Sequence, residues 1–441
     1  MKTNRRTFLK GAAIAGMPLL LPSRIWAAET GPNSRPTIGF VGMGKQSQGL
    51  LGNFLNQNVQ VLAVCDVDTT RRMAAKKRVD DHYKSAAKGG TECQAYNDFR
   101  ELIARKDIDM VCIATPDHWH AIITLAALRS GKDVYCEKPL THNIHEAIEV
   151  MKAVTDNKRV LQTGSMQRSS REFRVACELV RNGAIGKVDH VECQFGDPAD
   201  PYNLKEETME PGLDWDRWVG PAPKAVYNSV LSPRGVHDHF PNWRMYREFG
   251  GGMVCDWGAH HLDIAQWGLG MDDSGPVEVR PPEKADGKRG ATLVYASGIT
   301  VKHADGFGVD FFGSEGEVQV NRGQFTFTRN GKQISKFTDR KGDSSLAAEL
   351  QKAEKEFLVN AKTKLYVSNN HISDFLTCVK ERKQPITNAQ VGGRSAICCH
   401  LMNQAYYHHA TIKWDPSKLA FAGGTGDPKW LTREYRTPWS V

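Results

Sequence analysis

The feature that most constrains this chain is the run from Thr37 to Thr163, where short apolar segments alternate with helical patterns. Thr37-Ile38-Gly39-Phe40-Val41 reads as a buried strand, Gly42-Met43-Gly44 as a tight turn, and the residues through about Asn56 as a helix. Val59 to Cys65 is a second strand that ends at Asp66. Met110 to Ala114 and Asp133 to Cys136 continue the series, with a helix between them that stops at Gly131, and Arg159 to Thr163 adds another strand. Parallel neighbours need a long crossover, so this alternation predicts a doubly wound parallel sheet over residues 36–163. Sheets of this kind bind ligands beyond the carboxyl ends of their strands.

The turn after the first strand sits at such an end. Gly42 permits the sharp reversal, and Gly44 lets the backbone approach a pyrophosphate at the positive end of a helix that Lys45 and Gln46 open. Asp66 follows Gly42 by 24 residues. A carboxylate there accepts from ribose hydroxyls and repels a 2′-phosphate, which favours NAD over NADP. The departure from the dinucleotide pattern is Ser47, where a third glycine would stand; Gly49 comes two residues late. Two further loops land on the same face: Thr115-Pro116-Asp117-His118-Trp119-His120 after Ala114, and Glu137-Lys138-Pro139 after Cys136. A lysine there is costly to bury unless a partner or a reaction uses it.

Beyond Thr163 the texture changes. A helix is predicted from about Ser170 to Asn182 and a strand from Lys187 to Phe195, followed by a loop-rich segment carrying Trp215, Trp218 and Trp243. Alternating runs at 291–304, 307–313 and 316–328, with turns at Asp305-Gly306, Ser314-Glu315-Gly316 and Asn330-Gly331, predict an antiparallel sheet. Helices His371 to Glu381 and Gly392 to Tyr407 close the pattern. Residues 164–441 thus read as an α+β domain, with substrate held between the two domains.

The densest polar cluster is Gly250-Gly251-Gly252-Met253-Val254-Cys255-Asp256-Trp257-Gly258-Ala259-His260-His261-Leu262-Asp263. On a helix starting near Val254, Asp256 and His260 share one face, where a carboxylate can set a histidine's tautomer for proton transfer. The three glycines leave room for a backbone beside a ligand. A competing reading gathers His237, Asp238, His239, His260, His261 and Asp263 round a metal; the sequence does not make them converge, and no metal is assigned.

The amino terminus reads as an address. Arg5-Arg6 precedes Thr7-Phe8-Leu9-Lys10 and a weakly apolar run to Leu21, with small residues at Ala27 and Ala28. The run is too short for a bilayer span and resembles a twin-arginine (Tat) signal over residues 1–28, implying the Tat export machinery as partner and a periplasmic location. The net charge of +8 includes five uncompensated cations in that segment, so the remainder is close to neutral, which argues against a nucleic-acid binder. No later stretch suits membrane insertion. Of the ten cysteines, most read as buried thiols, and the pairing of Cys398 and Cys399 stays open.

Together the strand–Gly-Met-Gly–helix start, Asp66, the Thr-Pro-Asp-His-Trp-His loop, Glu137-Lys138-Pro139, the Asp256-to-His260 spacing, and the terminal Pro385-Ile386-Thr387 and Trp414-Asp415-Pro416 resemble the Gfo/Idh/MocA oxidoreductases over essentially the whole chain after the signal. The resemblance implies a Rossmann domain followed by an α+β domain whose large, mainly antiparallel open sheet often forms oligomer contacts, hence a homo-oligomer. It implies cofactor contacts from Gly42, Gly44, Lys45, Gln46, Asp66, Thr115, Pro116, His118, His120, Glu137 and Lys138. Lys138, Asp256 and His260 look like the family's catalytic residues, with His260 as proton acceptor and Lys138 beside the reacting hydroxyl. Gln167, Arg168, Trp243, Arg244 and His261 are expected on the substrate side. The implied activity is NAD-dependent oxidation of a sugar, glycoside or polyol hydroxyl with a retained cofactor. Redox-neutral glycosidase, lyase or epimerase chemistry through transient oxidation is the alternative, although the glycosidases suited to comparison within this broad family lack the Glu-Lys-Pro element present here. A non-catalytic sugar-binding protein is the reading from another class.

Overall fold

The computed structural model describes residues 35–85, 92–339 and 344–441, so the signal expected over 1–28 lies outside the described residues. Six strands build the first sheet: β1 (Thr37–Val41), β2 (Gln60–Cys65), β3 (Gln94–Tyr96), β4 (Met110–Ile113), β5 (Asp133–Cys136) and β6 (Leu161–Thr163). Their order is β3-β2-β1-β4-β5-β6, all parallel. The winding reverses between β1 and β4, which opens a crevice at the carboxyl ends of those strands.

These strands are apolar on both faces because both faces are covered. Ile38, Phe40, Met110, Cys112 and Tyr135 point into one core, with Leu50 and Phe54 of the helix Lys45–Leu55. Val41, Val111, Ile113, Val134 and Cys136 point into the other, against the helices Asp117–Arg129 and Ile144–Asp156. The helix His371–Glu381, far along the chain, also covers the first sheet: Phe375 lies 6.4 Å from Phe54 and 5.8 Å from Tyr135, ring centre to centre. Division of the chain at 163/164 therefore misses an element that sequence order hides.

The second sheet has ten strands: β7 (Val188–Gln194), β8 (Glu278–Arg280), β9 (Thr292–Val294), β10 (Thr300–Ala304), β11 (Gly308–Gly313), β12 (Gly316–Asn321), β13 (Gln324–Arg329), β14 (Lys332–Phe337), β15 (Ile412–Asp415) and β16 (Ala420–Ala422). The order is β14-β13-β12-β11-β7-β10-β9-β8-β15-β16, and only the β7–β10 pair is parallel. Alternation sets its inner face: Val309, Phe311, Val318, Val320, Phe325 and Phe327 are buried. Register stacks them, Val309 opposite Val320, and Val318 opposite both Phe311 and Phe327. The runs at 291–304 and 316–328 each fold as two strands, because Gly298 and Gly323 adopt positive φ and reverse the chain within them. Helices Arg171–Arg181, Gly258–Leu269, Leu346–Phe357 and Ala389–His408 pack on this inner face or beside it. All ten cysteines are buried free thiols, Cys398 and Cys399 included. Among the described residues no helix is long and apolar enough to cross a membrane.

Candidate active site

The crevice at the β1/β4 reversal continues into a cleft of about 560 Å³ between the two sheets. At one end lies the turn after β1. Gly42 holds φ at +85°, and a Cβ there would stand 2.7 Å from the carbonyl oxygen of Ala114. Gly44 begins the helix Lys45–Leu55 with no side-chain cap, and a Cβ on it would meet nothing within 4 Å. The first amides of that helix are thus left for a ligand, and the dipole favours an anion. Ser47 is buried and its hydroxyl donates to the Gly42 carbonyl, so the serine in the third glycine's place ties the turn together.

Asp66, at the end of β2, accepts from the backbone amides of Met43 (2.7 Å) and Asp68 (2.8 Å) and lines the cleft. Burial pushes its carboxyl above the usual range, opposed by the Arg71 guanidinium. Thr115 and Pro116 line the same end, and Thr115 Oγ1 is a buried hydroxyl with no hydrogen-bond partner among the described residues. His120 lies with Nδ1 2.7 Å from the Pro139 carbonyl and Nε2 2.9 Å from that of Thr115, which braces the two loops together. Gln46 donates to Glu137 Oε1 at 2.9 Å, and burial raises the Glu137 carboxyl, with Lys138 opposing. An unsatisfied amide turn, an acid after β2 and an orphaned hydroxyl fit a dinucleotide.

Chemistry is concentrated further in. Lys138 Nζ donates to Asp256 Oδ1 at 2.5 Å and to the Asp256 carbonyl at 3.1 Å. The other oxygen, Oδ2, lies 3.3 Å from Arg244 Nε. Burial alone would raise the Asp256 carboxyl, but Lys138 and Arg244 outweigh it and hold the group ionised. His260 faces the same cleft; burial, then Lys138 and Arg322, pushes its pKa well down, so the imidazole is neutral. Its Nε2 is 3.0 Å from Arg322 Nη2, and its Nδ1 is buried without a hydrogen-bond partner among the described residues. Trp243 lines the cleft with the Arg244 guanidinium 4.7 Å from its ring centre.

The expectation that Asp256 orients His260 is corrected. The helix is interrupted at Trp257, between Gly252–Asp256 and Gly258–Leu269, and no hydrogen bond joins the two side chains among the described residues. The ammonium of Lys138 takes the carboxylate instead. The three glycines are corrected as well: Gly252 holds φ at +68° and a Cβ there would lie 2.2 Å from the Ala199 amide, so they serve backbone packing.

Four residues expected at the site lie outside the cleft. His118 is fully buried between the carbonyls of Phe249 and Trp218, and burial takes its pKa to about 3. Arg168 is spent on Asp263 and Asp272 at 2.7–2.9 Å, a buried pairing that holds the helix Gly258–Leu269. Gln167 is buried beside it, with both amide atoms unpartnered among the described residues. His261 Nδ1 is 2.8 Å from the Gln194 carbonyl, on the side of its helix away from the cleft. The residues weighed as metal ligands are dispersed: Asp238 pairs with Lys45, His237 sits by Arg71, and Asp263 is held by Arg168.

The structure adds three residues. Asp117 opens the helix Asp117–Arg129 and lines the cleft, its carboxyl pushed well up by burial. Arg322 arrives from the turn between β12 and β13. Trp439, near the carboxyl terminus, packs 4.7 Å from Trp119 and forms part of the cleft wall. Asp117 stood within the Thr115–His120 loop already placed on this face, whereas the Asn321-Arg322-Gly323 turn lay inside a run read as one strand.

A doubly wound sheet with a dinucleotide cradle, joined to an open antiparallel sheet and sharing a Lys–Asp–His cleft, defines a two-domain oxidoreductase architecture. The sequence matches the oxidoreductase family with an NAD-binding Rossmann fold over residues 37–165 and that family's C-terminal alpha/beta domain over 199–441. The chain belongs to the Gfo/Idh/MocA oxidoreductases. It is similar to a glycosyl hydrolase family 109 protein of Shewanella pealeana, 29% identical over 44% of this chain and 46% of that one. It is also similar to an inositol 2-dehydrogenase of Salmonella typhimurium, 34% identical over 34% of this chain and 42% of that one. The matched stretches thus span under half of these curated relatives. Among solved structures it resembles a levoglucosan dehydrogenase in complex with NADH and levoglucosan, with a TM-score of 0.57, 18% identity, and coverage of 86% of this chain and 99% of that one.

Proposed function

We propose that this oxidoreductase oxidises a hydroxyl of a sugar, glycoside or polyol with NAD as cofactor. The observation that carries the reading is the Lys138–Asp256 pair at 2.5 Å, which shares one cleft with neutral His260 and with the uncapped helix and Asp66. The inositol dehydrogenase and the levoglucosan dehydrogenase named above support the substrate class. Lys45, Gln46 and the first amides of their helix would hold the pyrophosphate, and Asp66 the ribose. NAD, when bound, supplies the hydride acceptor.

The protein's own groups do the rest. Lys138 donates a hydrogen bond to the substrate oxygen and stabilises the negative charge that grows there. Asp256 keeps that ammonium in place, and its backbone carbonyl shares the task. His260, uncharged at neutral pH, takes the hydroxyl proton. Trp243 offers an apolar face to a ring, and Arg244 a donor to its hydroxyls.

Retention of the cofactor has its own support. Residues 197–250 contribute Trp218, Ser232, His237 and Trp243 to the cleft lining and are tied to the first domain at several points. Arg234 pairs with buried Asp68, Arg71 donates to the carbonyls of Pro233 and Gly235, Lys45 pairs with Asp238, and Trp119 donates to Trp218. Export through a Tat route to the periplasm, as the amino terminus suggests, would make such retention necessary. Retention also admits a second reading, redox-neutral chemistry on glycosides, which the family 109 relative favours.

Incubation with a panel of sugars, polyols and glycosides, with and without added NAD, separates these. Net sugar oxidation that scales with added NAD fits a dehydrogenase. Glycoside turnover with no accumulation of reduced nicotinamide fits the second reading. Failure of every compound to reduce even one equivalent of nicotinamide overturns both.

A further inference from the structure

At the chemical end of the cleft three cations, Lys138, Arg244 and Arg322, face Asp256, and that carboxylate is already engaged by the first two. Arg322 stands at the tip between β12 and β13 and makes no ion pair among the described residues. Its contacts are the ring of Trp257, 4.6 Å from the centroid, and His260 Nε2 at 3.0 Å. Partial burial lowers its pKa, opposed at longer range by Glu137 and Asp256, and a guanidinium at this level stays charged. A fork of donors held against an aromatic wall, with no carboxylate of its own, matches a planar anion in two-point fashion.

The same contact constrains His260. A guanidinium only donates, so Nε2 accepts and Nδ1 carries the proton. The lone pair that a general base needs is therefore the one Arg322 covers.

We propose that Arg322 recognises a carboxylate carried by the substrate, so that the preferred substrates are acidic sugars, and that this pairing draws the guanidinium off His260 and frees Nε2. The recognition half stands without the oxidoreductase reading; the release of the base rests on it. Specificity and activation are then one event: a neutral sugar leaves Arg322 on the imidazole, whereas a uronate exchanges a neutral acceptor for a charged one. A carboxylate takes two parallel bonds from a guanidinium and carries the opposite charge, whereas the imidazole accepts only one bond and carries none, which gives the exchange its direction.

The test uses the full-length, NAD-loaded protein and matched pairs: D-glucuronate with D-glucose, D-galacturonate with D-galactose, and D-mannuronate with D-mannose. Calorimetric binding needs no turnover and comes first. At least one uronate is expected to bind about tenfold or more tightly than its neutral partner, the span of one charge-assisted contact. Arg322→Gln is expected to erase that ratio and Arg322→Lys to keep part of it, since lysine retains the charge and loses the fork. Equal affinity within all three pairs, no binding of any uronate, or a ratio unchanged in Arg322→Gln overturns the proposal. Nicotinamide reduction is then followed on the same pairs. Discrimination in binding without reduction would sink the oxidoreductase reading and leave Arg322 as an anion site. Reduction with equal kcat/KM for a bound uronate and its neutral partner would sink the release of His260.

Discussion

Lys138 and His260 are set by different neighbours, and their substitutions are expected to fail differently. Lys138 depends on Asp256 at 2.5 Å, whereas His260 meets Arg322 and has no hydrogen bond to Asp256 among the described residues. Loss of a positioned proton acceptor costs roughly 10²–10⁴-fold, so His260→Ala is expected to lower kcat by that order with bound nucleotide unchanged. Turnover equal to wild type at saturating substrate would remove His260 from the mechanism. The pH profile adds a second check. The folded pKa of His260 is depressed, and in the proposed reaction the neutral form is the active one. The acid limb of kcat/KM should therefore fall below the pKa of a free imidazole, about 6.5; a limb at or above that value would mean that another group titrates. Asp66→Ser is expected to weaken NAD by about tenfold or more and to narrow its advantage over NADP, because the serine neither accepts two ribose hydroxyls nor repels a phosphate. Unchanged NAD affinity would contradict the place given to Asp66.

At the scale of elements, the proposed retention of the cofactor gives the segment 197–250 the part of a strap, whose buried tie is Arg234 on Asp68, a carboxylate that also caps the backbone of Thr70 and Arg71. Arg234→Ala should loosen it and speed NAD dissociation by about tenfold, the kinetic counterpart of one lost charge-assisted contact; an unaltered release rate would mean that the strap does not gate the cofactor. This element was the least legible in the sequence, because its order comes from long-range ion pairs and from stacked aromatics such as Trp215 on Trp218, 4.6 Å apart. The parallel sheet was the most legible, since each of its main strands is a short apolar run with a turn at its end. Gly42, Gly44, Asp66, Thr115, Glu137 and Lys138 were readable for the same reason: they occupy strand ends, and sheet topology brings strand ends together. Gln167, Arg168 and His261 misled because adjacency in sequence to a site says nothing about the side of a helix or turn on which a side chain emerges. Arg322 was hidden by two strands read as one. The helix Asp117–Arg129 shows the limit within a single motif: Asp117 and His120 line the cleft, while His118, between them, is turned into the protein.

Across the whole molecule, burial keeps several histidines neutral: His118 at about 3, and His261, His303 and His371 each at about 4. Their folded values lie below the unfolded one, so the unfolded chain binds the extra protons. The associated stability is present above about pH 6.5 and is lost as pH falls below it, by about 1 kcal/mol per pH unit for each histidine. These histidines should therefore pull the melting midpoint down between about pH 6.5 and 4, against the raised carboxyls of Asp66, Asp117 and Glu137, whose protonation favours the folded chain. A midpoint that rises as pH falls across that window would contradict the buried, neutral assignment. The open sheet raises a further question of assembly, and a homo-oligomer through its outer face remains our proposal from the family resemblance. The central claim is that the cleft holds NAD against a sugar hydroxyl. It is tested most directly by denaturing the purified full-length protein, identifying the released nucleotide, and then adding sugars to the native, NAD-loaded protein while following nicotinamide absorbance. The account predicts NAD as the nucleotide bound, or taken up on addition, and a single-turnover rise in reduced nicotinamide with at least one sugar. A protein that carries no nucleotide and shows no affinity for added NAD would contradict it.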